Sequence, residues 1–566
     1  MKKERCTSLR AKRSNLTVPM LAGLLRHFVP RNDRKRYFLF LFILLLFTAC
    51  GSDRIAIGPT GMPTLINPTA QADEIYDYEP YEPYEGPIES VTISSPQIFE
   101  TNDVLRLSMR HPMTLNPLLN EDVTVARILR LIFEPLIILD ENLRPTSHLA
   151  NLEFASDLSS VRLIIRSDAY WSDGMPVTAD DLIFSVTTLR NAPQNSIYGY
   201  KVKNIANITR ISLRAVQIYF HQSSMCAGNT LNFPIIPQHH YRNQTNPASP
   251  ANMNPVGNAP FMFDSHNPMH GLRLIQNPYS FRQRSQIEEI DVVFLPDAQT
   301  ELYAFDQGRI DALHLPLTEW ARHHSVRHIN HENFPAMYFE FIGFNFEREK
   351  FNNIQVRRGI AHAFDACQAV RDVYLDQAMR ATSPIHPYSL GGGNFSNIDY
   401  DPVRAQALLR TIPVYQPIIV LVNDDNPQRV SIAERFVSSL NAVGLPAIAE
   451  ILPHADYFAR IEDGDFDMFI GGVNLAFQPD MEFFLEGGLF VEDPALQVAF
   501  STTQNVVTES LYLQAMSQFQ QDFAETLPII SLSFRHSAVL TNMRVQQNKT
   551  PAPDNPFGWI NLWEIR

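Results

Sequence analysis

The chain has 566 residues, 45% of them hydrophobic and 11% aromatic, with 46 basic against 60 acidic side chains and a formal charge of −14. That apolar content is too high for a largely disordered polypeptide, and the length supports more than one hydrophobic core. The acidic balance excludes a general nucleic-acid binder, which needs a basic face to neutralise phosphates.

The charge is unevenly spread. Residues 1–49 hold eleven basic and two acidic residues, a balance of +9, which leaves −23 on the rest. The basic stretch runs into an apolar run from Tyr37 to Phe47, shorter than the ~20 residues of a spanning helix. It ends in Phe47-Thr48-Ala49-Cys50-Gly51. This is the layout of a secretion signal over residues 1–49. Small residues just before a Cys are similar to the lipobox of bacterial lipoproteins, in which Cys50 would carry the lipid; Phe47 stands where Leu is usual. An ordinary membrane anchor is the alternative, and either Met1 or Met20 could be the start. Residues 50–100 follow as the lipidated Cys and a tether containing the acidic repeat Tyr76-Asp77-Tyr78-Glu79-Pro80-Tyr81-Glu82-Pro83-Tyr84. Repelling charges and few apolar groups predict an extended linker. Beyond Cys50 only Cys226 and Cys367 remain, too few for a disulfide framework. Both read as small core residues, with a disulfide as the lesser option.

From Val104 the patterns sharpen. Leu105, Leu107 and Met109 alternate as in a half-buried strand, and Val125, Ile128, Leu129 and Ile132 follow a helical face behind Asn120-Glu121-Asp122. Val161, Leu163 and Ile165 alternate again, and Thr178 with Asp181 opens a helix in capping-box spacing. Val356, Ile360, Ala363 and Phe364 mark another helix. Residues 417–422 read as a buried strand, and Ile432, Phe436 and Leu440 as a helix closed by Gly444. Strands and helices alternating in this way predict an α/β body of more than one lobe.

Several blocks carry a resemblance: Thr114-Leu115-Asn116-Pro117, Leu131-Ile132-Phe133-Glu134-Pro135-Leu136, Trp171-Ser172-Asp173-Gly174 running on to Asp181, and Pro255-Val256-Gly257-Asn258-Ala259-Pro260. Gly308-Arg309-Ile310-Asp311, Phe344-Asn345, Val356-Arg357-Arg358-Gly359 and Gly464-Asp465-Phe466-Asp467 follow in the same order as in that family. Over roughly residues 104–566 the chain resembles the family 5 bacterial extracellular solute-binding proteins, the peptide/nickel type that serves ABC importers. The resemblance implies a two-lobed periplasmic-binding-protein-like α/β fold (type II, cluster C). Lobe I would comprise residues 101–145, 253–335 and 532–566, with an extra subdomain at 146–252, and lobe II residues 336–531. The chain would cross the hinge near 340–345 and 528–534, at Phe344, Asn345 and Ser531. It further implies a monomer that is not an enzyme, needs no cofactor, encloses a peptide or other small solute, and meets a membrane ABC permease.

By the same resemblance, Glu121, Asp122, Val123 and Thr124 would meet a peptide backbone. The plainer account of these residues is a helix start whose acids complement the dipole. Relatives often read Gly-Trp followed by an acidic residue that pairs with a peptide's amino group. Here Gly472 is followed by Val473 and Asn474, and the nearest carboxylate is the displaced Asp480. Tyr200 could line the cleft or pack on its own lobe, and Arg535 could take a ligand carboxylate or serve as an interlobe structural pair. His324, His328 and His331 are spaced for one helical face and a metal, but residues 316–337 read as a surface connection in which histidines are solvated. No Gly-x-Ser-x-Gly elbow, His-Glu-x-x-His helix or Walker loop occurs. A tethered hydrolase, or a binder of a metal chelate, haem or oligosaccharide, stays open as an alternative.

Overall fold

The computed structural model describes residues 104–140, 142–242, 249–315, 329–393, 395, 398–410, 416–477 and 493–566. The signal segment, Cys50, the tether, Asp480, His324 and His328 lie outside them.

Strand β1 (Val104–Met109) buries its alternating Leu105, Leu107 and Met109 and leads to helix α1 (Val123–Leu129). A short ladder of β2 (Ile137–Leu139) and β3 (Pro145–Ser147) precedes an antiparallel sheet. Its strands are β4 (Ala150–Phe154), β5 (Ser160–Ile165), β6 (Ile205–Ser212) and β7 (Ala215–Phe220), ordered β4-β5-β7-β6. Helix α2 (Ala179–Arg190) starts at the expected capping box. Asp181 also accepts from Trp171 Nε1 at 3.2 Å and from the Gln238 amide at 2.8 Å. One buried carboxylate therefore stitches the Trp171–Asp181 block to its neighbours, and the block is scaffold. Strands β8 (Phe261–Asn267), β9 (Gly271–Gln276) and β10 (Glu289–Phe294) form a sheet with β1, which runs parallel to β10.

After α3 (Ala298–Asp306) and β11 (Ala312–Leu315) comes β12 (Ile329–Phe344), a strand of 16 residues. Then follow α4 (Ile354–Ala363), α5 (Ala366–Tyr374), β13 (Ala378–Arg380), α6 (Pro402–Leu409), β14 (Ile418–Asn423), α7 (Pro427–Ala442), β15 (Ala447–Leu452), α8 (His454–Glu462) and β16 (Met468–Asn474). The last described elements used below are α9 (Pro494–Gln504), α10 (Glu509–Thr526) and β17 (Ile529–Asn542). A seven-stranded sheet runs β11-β17-β12-β16-β14-β15, with β13 also on β17.

Hydrophobic residues collect in separate cores. The first holds β1, α1, α2 and the two four-stranded sheets, and reaches Phe334 and Val539. The second and third lie on opposite faces of the large sheet, because alternate residues of a strand point to opposite sides. Ile342, Phe344, Val420 and Val422 enter the second with α4 to α7, and Phe339, Phe341, Leu421 and Phe469 enter the third with α8 and α10. Among the described residues, no helix is long and apolar enough to cross a membrane.

Two expectations are corrected. Cys226 is buried, but Cys367 is exposed and both thiols are free. The buried stripe of α5 is Ala366, Ala369, Val370 and Tyr374, and position 367 falls off it. His331 lies on β12, not in a surface connection.

Candidate functional site

Two strands carry the chain between cores. β12 and β17 pair from Ile329–Asn542 to Pro335–His536, the ladder shifts, and pairing resumes at Phe339–Phe534. Before the shift their side chains enter the first core (Phe334 and Val539) and a smaller cluster with α3 and β11 (Ala538 and Leu540), and after it the second and third. The crossing therefore sits at residues 335–338 and 535–537. Phe344 lies inside the second core, and the Asn345 amide donates to the carbonyls of Gly464 at 3.1 Å and Phe466 at 2.8 Å. Ser531 is opposite Phe341. Phe344 and Asn345 are therefore several residues past the first ladder break, and Ser531 lies at a second, smaller shift between Glu340 and Phe341.

The large sheet presents its carboxyl edge at this crossing. β14 runs parallel to β15 and β16, so Asn423 ends level with Leu452, while β16 runs on past that level to Asn474, which stands opposite Tyr338 of β12. In open α/β sheets ligands bind in the crevice beyond such ends. Asp424 and Asp425 are exposed there. His454 Nδ1 lies 2.8 Å from Asp425, and that hydrogen bond, with the Asn423 amide, holds the Asp425 carboxyl below its usual range.

Just beneath the edge lies a buried charge cluster. Glu340, Arg429 and Arg535 are 0%, 3% and 1% exposed. Arg429 Nε donates to Glu340 Oε1 at 2.9 Å, its Nη1 to Asn423 Oδ1 at 3.0 Å, and its Nη2 to the Tyr338 hydroxyl. Arg535 Nη2 donates to Glu340 Oε1 at 2.5 Å, to Tyr374 Oη at 3.2 Å and to Asn426 Oδ1 at 3.2 Å. The Tyr374 hydroxyl donates to the other Glu340 oxygen. Desolvation alone would raise the Glu340 pKa, but the charges of Arg535 and Arg429 bring it below the usual carboxylate range. Gly472 makes this packing possible. A Cβ there would come within 2.5 Å of Arg429 Nη2 and 2.8 Å of the Tyr338 ring. Val473 points the other way into the third core, and Asn474 is exposed.

Glu340, Arg429, Tyr338 and Tyr374 were not among the expected site residues, although two signals pointed to them. Glu340 is one charge inside the aromatic run Met337-Tyr338-Phe339-Glu340-Phe341, and a buried charge requires a partner. Arg429 lies three, seven and eleven residues before Ile432, Phe436 and Leu440, which puts it on the buried face of α7.

The candidates from the first part of the chain stand elsewhere. Asp122 caps α1, accepting from the Thr124 and Val125 amides at 2.7 and 3.1 Å. Thr124 Oγ1 accepts from the Arg110 amide at 3.0 Å. Glu121 is exposed, as is Val123 at 64%. Tyr200 is exposed on a 3₁₀ turn, and its neighbour Lys201 is buried with Nζ donating to the Asn232 carbonyl at 2.6 Å. Burial takes the Lys201 pKa down to about 7. No described contact joins these residues to the Arg535 cluster. Among the described residues no group of three side chains is placed to hold a metal.

A second bridge joins the cores. Cys226 lies between β7 and β8 in sequence yet packs in the third core, with Sγ 3.3 Å from Tyr512 Oη on α10. Asn229 Nδ2 donates to the carbonyls of Leu143 at 3.0 Å and Phe477 at 3.1 Å. Arg144 pairs with Glu509 at 3.2 Å.

Comparison with known proteins decides what this arrangement belongs to. Residues 145–489, more than half of the chain, match the profile of the bacterial extracellular solute-binding proteins, family 5, middle region. The chain belongs to this family. A protein of Brucella ovis named as an ABC transporter peptide-binding protein is 22% identical over 341 residues, covering 57% of this chain and 64% of its own length. The heme-binding protein A of Haemophilus influenzae is 24% identical over 38% of this chain and 41% of its own. The chain thus matches under two thirds of the length of these curated relatives. In fold it is similar to the ABC transporter substrate-binding protein CtaP of Listeria monocytogenes, with a TM-score of 0.73 at 17% identity, over 82% of this chain and 100% of that one. This family 5 protein therefore has the two-lobed, mixed α/β binding-protein fold, and the double crossing at 335–338 and 535–537 runs between its cores.

Proposed function

We propose that this chain is an extracytoplasmic solute-binding lipoprotein, held by Cys50, that captures a peptide or similar elongated solute between two lobes and hands it to an ABC permease. Lobe I and its subdomain comprise residues 101–335 and 532–566, and lobe II residues 336–531. The observation that carries the reading is the paired crossing of β12 and β17, with its ladder break, beside a sheet's carboxyl edge. Two strands interrupted at one level bend there at little cost, and a ligand touching both lobes stabilises the closed population.

The exposed ends supply the recognition. The exposed carboxylates of Asp424 and Asp425 suit a ligand ammonium, and Asn474 at the end of β16 suits an extended backbone. Glu121–Thr124 and Tyr200 are the contributions from the first lobe. Arg535 acts from beneath the surface, holding the crossing strands to α5 and α7 through Glu340. The reading includes no chemical step, and the working form is a monomer.

Mass spectrometry of material co-purifying with residues 101–566 tests it directly. Peptides should be recovered, and small-angle scattering should show contraction when they are added back unchanged. Recovery of sugars, haem or metal chelates would overturn the ligand class. Turnover of an added peptide would overturn the binding role, and retention of a Cys50→Ser chain in membranes would overturn the anchor.

A further inference from the structure

Away from the crossing, a cavity of about 190 Å3 opens on the flank of the second part of the chain. β13 pairs with β17 only from Ser533 to Arg535, which leaves the edge of β17 at Ile529–Ser531 without a partner strand among the described residues. The cavity lies at that free edge, between the end of α4, the start of α5 and the last turn of α10. Its apolar lining includes Phe364, Phe523, Leu527 and Ile530.

The polar lining is built and incompletely satisfied. Arg380 Nη1 donates to the carbonyls of Ser531 at 2.5 Å, Leu532 at 2.9 Å and Ala381, which fixes the guanidinium against the wall. No described carboxylate forms an ion pair with it. Desolvation lowers its pKa, partly offset by a side-chain hydrogen bond with Cys367 and by the charge of Asp365. Ser531 is 5% exposed and its Oγ has no partner among the described residues, whereas a buried hydroxyl is ordinarily hydrogen-bonded. A guanidinium beside a hydroxyl donor is matched to a carboxylate. Asp365 and Asp399 also line the cavity, and they disfavour a simple anion while suiting a ligand that carries an ammonium as well.

We propose that this cavity binds one free apolar α-amino acid. Its carboxylate meets Arg380 and Ser531, its ammonium faces Asp365, and its side chain lies on Phe364, Phe523 and Ile530. The volume falls below the ~300 Å3 at which sites for larger ligands begin, which favours a ligand of amino-acid size. The site is separate from the proposed cleft: Cys367 at the rim and Tyr374 in the Glu340 cluster are seven residues apart on α5, about 10 Å.

Cys367 is exposed and lines the cavity, so it reports occupancy. The measurement is its rate of alkylation by iodoacetamide in the full chain, read by peptide mass mapping. L-Leucine or L-phenylalanine should slow it about tenfold when present at about ten times the Kd. L-Glutamate, 4-methylpentanoate and isoamylamine should not. Arg380→Gln should abolish the protection while leaving peptide capture intact. Ser531→Ala, a milder change, should weaken it with unaltered thermal unfolding. No protection by either amino acid, equal protection in Arg380→Gln, or equal protection by 4-methylpentanoate would each overturn the proposal.

Discussion

Two carboxylates in this molecule are each 0% exposed and each clamped by two arginines, one in each half of the fold. Asp311 ties β1 to the chain end. It accepts from Arg106 Nη2 at 2.7 Å, Arg544 Nε at 2.9 Å and the Asn542 amide at 2.7 Å. Glu340 ties the crossing strands to α5 and α7 through Arg429 and Arg535. The count of charges is the same, but water is not. The arginine side chains at Asp311 are 21% and 24% exposed, and those at Glu340 are 3% and 1% exposed. Solvent hydrates the surplus positive charge in the first case. In the second it rests on the Tyr338 and Tyr374 rings, which lie 5.6 and 4.9 Å from the Arg535 guanidinium carbon. A cluster of the second kind adds little net stability while intact but costs much to break.

The sharpest way to break this comparison is to remove each carboxylate in turn. Glu340→Gln strands two guanidiniums away from water and should cost about 3–5 kcal/mol by urea denaturation. Asp311→Asn leaves arginines that solvent can reach, and about 1–3 kcal/mol is expected. Equal losses would show that exposure of the arginines does not govern the difference.

Acid titration sharpens it with a third carboxylate. Glu134 lies 2.6 Å from His148 Nε2 and 3.0 Å from Arg282 Nη1. Desolvation would raise its pKa, but His148 and Arg282 bring it down to about 2. Because the folded value lies below the unfolded one, the stabilisation is complete above about pH 4.5 and is lost as pH falls towards 2, for a total of about 3 kcal/mol. Denaturation midpoints at pH 5 and pH 3 should converge in Glu134→Gln after its share of the slope is removed. An unchanged slope would refute the assignment.

These networks also mark where sequence reading stops. The capping box at Thr178–Asp181, the stripe of α7 with Gly444 behind it, and the alternation of β1 and β5 are local patterns, and each folds as its spacing implies. The Glu340 cluster is not local. Its arginines lie 89 and 195 residues from the carboxylate, so only the buried charge, not its partner, can be read from the chain. The ladder break was illegible for a similar reason. β12 is one strand, and nothing in its sequence says that Phe334 serves a different core from Phe339 to Phe344. Cys367 was legible and was misread: the stripe at 366, 369, 370 and 374 already left 367 outside.

A smaller effect is expected at the second bridge. Cys226→Ala removes a buried sulfur and its contact with Tyr512, and should cost about 1–2 kcal/mol of stability. It should also shift ligand-free scattering towards a more extended form, since the contact spans the two halves. Unaltered scattering would show that the crossing alone sets their arrangement.

The smallest effect belongs to Arg144 and Glu509, 3.2 Å apart beside that bridge. Their side chains are 49% and 50% exposed, so the gain in attraction is offset by hydration and by side-chain freedom lost on pairing. Arg144→Ala should change stability by no more than about 0.5 kcal/mol, and raised salt should erase even that. The same substitution in a Cys226→Ala background separates two accounts of the bridge. If the buried contact positions the surface pair, the second change adds nothing. If the pair steers closure independently, the scattering shift grows, and it grows only at low ionic strength.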